Sequence, residues 1–138
     1  MTSIFVDTDV VLDLLAARQP FYPYAARLFT LADRGELKLH VSALIFSNLH
    51  YILRKQLGST AALQYLQKLK LMVAILPVDG RIIDLALASS FSDFEDAIQY
   101  YAAREAGLKY LVTRNVKDYG NADMVVCNTE DFLRSLDV

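Results

Sequence analysis

The chain has 138 residues, of which 54% are apolar and 22% charged, with five glycines and three prolines. This composition suits a single domain over residues 1–138 and excludes a disordered or low-complexity chain. The 14 Lys and Arg residues and 16 Asp and Glu residues give a net charge of −2, so any contact with nucleic acid must be local.

The first half of the chain alternates short apolar runs with helical patterns. Apolar runs predict strands at 4–6 and 37–41, and apolar residues at helical spacing predict helices at 8–17 and 22–34. Gly35 is a suitable left-handed cap for the second helix. Ser42 stands where an N-cap belongs and opens a helix to about residue 56, and a further helix follows Gly58 at 59–71.

The second half continues the alternation. Strands are predicted at 73–76, 110–113 and 124–127, and helices at 81–89 and, with Thr129 as its cap, 130–136. Ser92 and Glu95 fit a capping box, which starts a helix that runs to about residue 106. Strands that are apolar throughout and separated by helices predict a three-layer α/β/α sandwich around a parallel sheet of about five strands.

Polar side chains collect where the predicted strands end, which is the ligand-binding edge of a parallel sheet. The residues at this edge are Asp7, Thr8 and Asp9 after the first strand, Ser42 and Asn48 beyond the second, Asp93, Glu95 and Asp96 at a helix start, and Thr113, Arg114, Asn115, Lys117 and Asp118 after the fourth. Converging carboxylates need a cation or proton to offset their repulsion. A hard divalent cation such as Mg²⁺ prefers these oxygen ligands, and the chemistry that it suits is hydrolysis of a phosphate ester.

Several of these residues also have a purely structural interpretation. Glu95 is expected to serve Ser92 in the capping box, Asp93 could complement the helix dipole, and Asp118 could be an ordinary loop residue. Arg114 and Lys117 either hold a phosphate backbone or lie in a solvated loop. Asp7 is different, because a carboxylate directly after a buried strand needs a partner, and Asp96 stands where its helix turns toward the core.

The ordered set of motifs resembles the PIN domain, a metal-dependent ribonuclease fold of bacterial toxins. The matching stretches are 5–13, 41–51, Asp96-Ala97 and 111–119. The resemblance implies a PIN-like, Rossmann-like sheet, one or two Mg²⁺ or Mn²⁺ ions, and cleavage of RNA. It also implies an antitoxin protein as partner and self-association as a homodimer.

The resemblance assigns roles with two departures. Asp7 matches the first metal-binding aspartate and Asp96 the third acidic position, whereas Asn48 and Asn115 stand where glutamate and aspartate are usual. An amide keeps an oxygen but adds no charge, and Asp9, Asp93 and Asp118 are candidates to restore it. The predicted catalytic residues are Asp7, Asp96, Asp118 and Asn115; the metal ligands are Asp7, Asp96, Asp93, Asp118 and Asp9; and the substrate-binding residues are Asn48, Thr113, Arg114, Lys117 and Thr8.

Two other functions stay open. The first is a PIN fold that binds RNA or a protein but cleaves little, since a fold alone does not fix function. The second is a haloacid-dehalogenase-like phosphatase, because Asp7-Thr8-Asp9 after a strand also fits a nucleophile with an acid/base partner.

The expected compartment is the cytoplasm. Cys127 is the single cysteine, which excludes an internal disulfide and is consistent with a reducing environment. No apolar run approaches the roughly 20 residues of a membrane span, and the N-terminus lacks the pattern of a signal peptide. We therefore expect no membrane partner.

Overall fold

The computed structural model describes residues 1–120 and 122–136. The strands are β1 (Thr2–Val6), β2 (Leu37–Ser42), β3 (Ala74–Leu76), β4 (Tyr110–Val112) and β5 (Val125–Cys127). The helices are α1 (Thr8–Leu15), α2 (Tyr22–Asp33), α3 (Leu44–Leu57), α4 (Ser59–Met72), α5 (Gly80–Leu87), α6 (Phe94–Glu105) and α7 (Thr129–Leu136), with a 3-10 helix at Val116–Tyr119. All the predicted strands and helices are confirmed, with small shifts in their bounds.

The five strands form one sheet in the order β3-β2-β1-β4-β5, and every neighbouring pair is parallel. In this register Ile4 of β1 lies opposite Leu39 of β2, and Phe5 lies opposite Leu111 of β4. The chain builds the sheet outward from β1 in one direction and then returns to the other side of β1. The order therefore reverses between β1 and β4, and the crevice expected of such sheets lies at the carboxyl ends of these two strands.

Helices cover both faces of the sheet, as a three-layer sandwich requires. Successive side chains of a strand point to opposite faces of the sheet, so both faces need a covering layer. Ile4 and Val6 pack on one face with Leu39, whereas Phe5 packs on the other with Leu111. The first face is covered by α1, α2, α3, α4 and α7, and the second by α6, against which α5 packs. Gly35 ends α2 at a φ of 79°, as predicted from its conformational freedom.

The predicted N-caps are wrong at three helices. Ser42 is the last residue of β2 and is fully buried, and α3 begins two residues later without a side-chain cap. Asp93, not Ser92, caps α6, since its Oδ1 accepts from the backbone N of Asp96 at 2.9 Å. At α7 the capping side chain is Asn128, whose Oδ1 accepts from Asp131 N at 2.8 Å.

In the part of the chain described by the structure, the helices are too short or too polar to cross a bilayer.

Candidate active site

Asp7 lies at the sheet's topological switch point, where β1 ends and α1 begins. Its Oδ1 accepts from the backbone N of Thr8 at 2.7 Å, and its Oδ2 accepts from the hydroxyls of Thr113 at 2.9 Å and Tyr119 at 3.0 Å. The residue is only 7% exposed. Burial raises the pKa of Asp7 above its usual value, and the hydrogen bonds from Thr113 and Thr8 act in the opposite direction.

Asp96 reaches the same point from α6. The Tyr119 hydroxyl that lies against Asp7 is also 3.3 Å from Oδ1 of Asp96. A phenol has one proton, so it can donate to only one of these carboxylates at a time. Burial, followed by the charges of Asp93, Asp7 and Asp118, raises the pKa of Asp96 to about 7. The two aspartates expected to converge therefore do so, around one tyrosine hydroxyl.

Asp9 and Asn115 form the first of two amide–carboxylate contacts at this edge. Nδ2 of Asn115 lies 2.9 Å from Oδ2 of Asp9, which also accepts from the backbone N of Arg114 at 3.2 Å. Burial and then the charge of Asp7 raise the pKa of Asp9 to about 7. Asp9 therefore places a second carboxylate beside Asp7, in contact with the amide at position 115.

Asn48 and Glu95 form the second amide–carboxylate contact. Nδ2 of Asn48, on α3, donates to Oε1 of Glu95, in the first turn of α6, at 2.8 Å. The prediction that Glu95 serves Ser92 is therefore wrong. Burial, followed by the charges of Asp7 and Asp93, raises the pKa of Glu95, against the hydrogen bond from Asn48. Glu95 thus belongs to the electrostatic surroundings of Asp7.

Asp93 and Asp118 are the other two carboxylates that act electrostatically on Asp96 from outside the central pair. Asp93 is the N-cap of α6, and Asp118 lies on the 3-10 helix, one residue before Tyr119. The charge of Asp118 contributes to the raised pKa values of both Asp7 and Asp96. Asp118 thus acts electrostatically on both central aspartates, whereas Asp93 acts on Asp96 and also caps the helix.

A buried polar relay fixes α6 relative to β2 and α1. The hydroxyl of Ser42 donates to Oε1 of Gln99, and Nε2 of Gln99 donates to Oγ1 of Thr8 at 3.1 Å. Gln99 is completely buried. Since Thr8 follows Asp7 and Gln99 lies on the same helix as Asp96, this relay positions the two aspartates relative to each other.

The two cations of this edge have different surroundings. Nε of Arg114 lies 3.1 Å from Oδ2 of Asp13, and its guanidinium lies 4.1 Å from the ring centroid of Phe21. Arg114 and Asn115 also line a cavity of about 450 Å³ between α1, α2 and α7. Lys117 is exposed on the 3-10 helix. Arg114 therefore makes structural contacts with Asp13 and Phe21, whereas Lys117 faces the solvent.

The donor atoms at this edge are of the type that a hard divalent cation binds. All the converging groups are carboxylate, amide or hydroxyl oxygens, and Mg²⁺ requires only one or two protein carboxylates besides water and phosphate. The carboxylates with pKa values near 7 show a charge excess that a cation would offset. Within residues 1–120 and 122–136, however, no three His, Cys, Asp or Glu side chains are already grouped to enclose a metal ion.

Comparison with known proteins decides the family. A family model described as a PIN domain matches residues 3–117. The chain belongs to the PIN domain family. The match includes Asp7, Asn48, Asp96 and Asn115, the four positions singled out in the sequence, and ends one residue before Asp118.

Individual relatives are similar to this PIN domain over most of its length. Ribonuclease VapC1 of Aquifex aeolicus (strain VF5) is 25% identical over 134 residues, which cover 94% of this chain and 92% of the relative. Two solved structures share the fold at 20% identity. A toxin–antitoxin complex from Klebsiella pneumoniae has a TM-score of 0.69 over 89% of this chain and 95% of that one. Mycobacterium tuberculosis VapC20, described as a sarcin–ricin loop cleaving toxin, has a TM-score of 0.62 over 78% of this chain and 86% of that one.

Sequence reasoning gave no role to two contributors to the site of this PIN domain and misassigned a third. Tyr119 lies in the matching stretch 111–119 without a role, Gln99 is not singled out, and Glu95 is placed at the polar edge but interpreted as a capping partner. A glutamine amid the apolar residues of a helix needs buried hydrogen-bond partners, which was a usable signal for Gln99. The contacts of Tyr119 and Glu95 depend on segments far apart in the chain, so the sequence did not predict them.

Proposed function

We propose that this PIN domain is a ribonuclease that hydrolyses RNA phosphodiesters with the help of Mg²⁺ or Mn²⁺. The observation that supports this most is the convergence of Asp7 and Asp96 at the switch point of the sheet, each within hydrogen-bonding distance of the Tyr119 hydroxyl. The raised pKa values at this edge indicate charges that are poorly compensated by the protein itself.

We assign the metal to Asp7 and Asp96, with Asp9, Asp93 and Asp118 completing its surroundings. When bound, such a cation supplies a Lewis acid that activates water and offsets the charge that develops on the phosphate. Asp118 and Asn115 are assigned to the catalytic set, because the first adds charge beside Asp96 and the second orients the Asp9 carboxylate.

We assign substrate contacts to the polar groups around this centre. Lys117 is exposed and supplies a cation for the RNA backbone, and Arg114 lies at the edge of the neighbouring cavity. Thr113 and Thr8 hold Asp7 and the polar relay, so they shape the surface on which the scissile phosphate would lie. Asn48 is also assigned to the substrate, and its amide donates to Glu95.

We further propose that the chain is the toxin of a toxin–antitoxin pair and acts in the cytoplasm as a homodimer. Support comes from the ribonuclease VapC1 relative and from the fold shared with the Klebsiella pneumoniae toxin–antitoxin complex. An antitoxin would place a basic side chain against the acidic edge. Residues 1–138 are proposed to be one domain, because β1, near the start of the chain, and β5, near its end, are strands of the same sheet.

A PIN domain that binds RNA or a partner protein but cleaves little is the second candidate. Three observations favour it: amides at positions 48 and 115, the Tyr119 hydroxyl placed between Asp7 and Asp96, and the absence of a ready-made group of three ligands among the described residues. The family match to the PIN domain argues against the phosphatase alternative.

Calorimetric titration with Mn²⁺, combined with cleavage of a single-stranded RNA, separates the two candidates. The proposal expects the wild type to bind Mn²⁺ and cleave RNA, and expects Asp7→Asn to lose both. Asp84→Asn is the matched control, since Asp84 is an exposed carboxylate on α5, away from the site. Mn²⁺ binding without cleavage favours the binding module, and no binding at millimolar Mn²⁺ overturns the metal-dependent nuclease.

A further inference from the structure

We infer that Glu95 supplies the carboxylate that position 48 lacks, so that one acidic contribution to the metal site comes from α6 instead of α3. This inference rests on the proposed function, since it concerns the same metal site.

The contact between the two side chains is the first step. Asn48 and Glu95 lie on different helices, and Nδ2 of Asn48 donates to Oε1 of Glu95 at 2.8 Å. The asparagine amide cannot ionise, but it can hold a neighbouring carboxylate in place. The side chain at position 48 therefore fixes the position of a negative charge that it does not carry.

Glu95 also has no other evident task in the fold. Asp93 already caps α6, so the helix does not need Glu95 for that purpose. Among the described residues, no Lys or Arg forms an ion pair with Glu95. The negative charges of Asp7 and Asp93 act on its carboxylate instead, and both raise its pKa. A carboxylate kept next to other carboxylates without a cation is unfavourable, and a divalent ion would relieve this.

The same arrangement occurs at the other amide position. Nδ2 of Asn115 donates to Oδ2 of Asp9 at 2.9 Å, just as Asn48 donates to Glu95. Both positions where an acid is usual in the family thus carry an amide that hydrogen-bonds to a carboxylate from another segment. The repeated pattern indicates that charge has been moved within the site and has not been lost from it.

The test exchanges the charge between the two positions. Mn²⁺ affinity is measured by calorimetry on the full chain for the wild type, Glu95→Gln and the double variant Asn48→Glu/Glu95→Gln. Glu36→Gln is the control, since Glu36 is an exposed glutamate in the turn before β2. We expect Glu95→Gln to weaken Mn²⁺ binding by about tenfold or more, the double variant to recover most of that loss, and the control to match the wild type.

Each outcome is decisive. If the wild type binds Mn²⁺ and Glu95→Gln binds it equally well, the role of Glu95 is overturned while the proposed function stands. If the double variant remains as weak as Glu95→Gln, the charge has not been exchanged between the two positions and the inference is also overturned. If the wild type binds no Mn²⁺, the proposed function fails and this inference fails with it. Glu95 is exposed, and circular dichroism of each variant verifies that it is folded.

Discussion

Nε of Arg114 lies 3.1 Å from Oδ2 of Asp13, whose side chain is only 2% exposed. Burial raises the pKa of Asp13, and the charges of Arg114 and Arg18 lower it. A charged carboxylate in such a place depends on its cation. Arg114 therefore compensates the charge of Asp13 within the fold, in addition to the RNA contact proposed for it.

Arg114→Ala is expected to destabilise the protein by about 2–3 kcal/mol, because it leaves the Asp13 carboxylate buried without its cation. Adding Asp13→Asn to this variant should recover part of the loss, since the uncompensated charge disappears. Urea denaturation of the single and double variants measures both effects. Arg134→Ala is the control, because its contact with Glu130 on α7 is exposed, and it should change stability by at most about 0.5 kcal/mol. An equally small effect of Arg114→Ala would contradict the interpretation.

Tyr119→Phe removes the hydroxyl that lies between Asp7 and Asp96. We expect the metal-free protein to lose about 1–2 kcal/mol of stability, because Asp7 loses a buried hydrogen-bond donor. Mn²⁺ should then raise the melting temperature more than it does in the wild type, since it replaces the missing compensation. Tyr100→Phe is the control, as the Tyr100 hydroxyl accepts from Asp123 N and not from the site. Equal Mn²⁺-induced shifts in Tyr119→Phe and wild type would refute this.

The pH dependence of stability should report the two carboxylates with raised pKa values. Asp9 and Asp96 have pKa values of about 7 in the fold, against 3.8 for an ordinary aspartate. Between these values the folded state binds more protons than the unfolded state, so stability from these groups is present at low pH and is lost as pH rises through about 7. Without divalent cations, the wild type should therefore lose stability relative to Asp96→Asn between about pH 4 and about pH 7.

Thermal melts of the two proteins across this pH range measure the difference directly. Contributions from groups that do not interact with Asp96, such as the lowered pKa of His40, cancel when the two proteins are compared. Mn²⁺ should reduce the loss in the wild type by offsetting the charge. Parallel curves for wild type and Asp96→Asn would show that this carboxylate is not protonated preferentially in the fold.

Gln99→Leu interrupts the relay from Ser42 to Thr8. The variant should lose about 2 kcal/mol of stability, because buried polar groups on both sides lose their partner. It should also weaken Mn²⁺ binding although no carboxylate changes, since Gln99 fixes α6, and with it Asp96, relative to the residue after Asp7. Gln67→Leu on α4 is the exposed control for the loss of an amide. Unchanged Mn²⁺ affinity in a destabilised Gln99→Leu protein would limit the relay to a structural role.

The fold was predictable because its signals are local. Apolar runs such as 4–6 and 37–41 reveal buried parallel strands, and Gly35 marks a helix end through its own backbone freedom. Because the carboxyl ends of parallel strands meet at one edge of the sheet, the sequence also predicts that Asp7 and Thr113 lie together there. Convergence of strand ends is a property of topology, and topology follows from the order of elements.

The cap assignments failed for a physical reason. Ser92 is followed by Asp93, and Asn128 by Thr129, so each helix start offers two suitable side chains in adjacent positions. Which of them becomes the cap depends on where tertiary packing starts the helix. The error at Ser92 also affected Glu95, because it assigned this glutamate to the capping box instead of to the site. Its true partner, Asn48, is 47 residues away in the chain.

The central position of β1 has a consequence for biosynthesis. β1 is made first, but the strand on its other side, β4, begins only at Tyr110, and Tyr119 follows later still. The ribosome must therefore have added Tyr119 before Asp7 acquires the neighbours described above. Under the proposed function, a nascent chain shorter than this cannot form the complete site and cannot hydrolyse RNA.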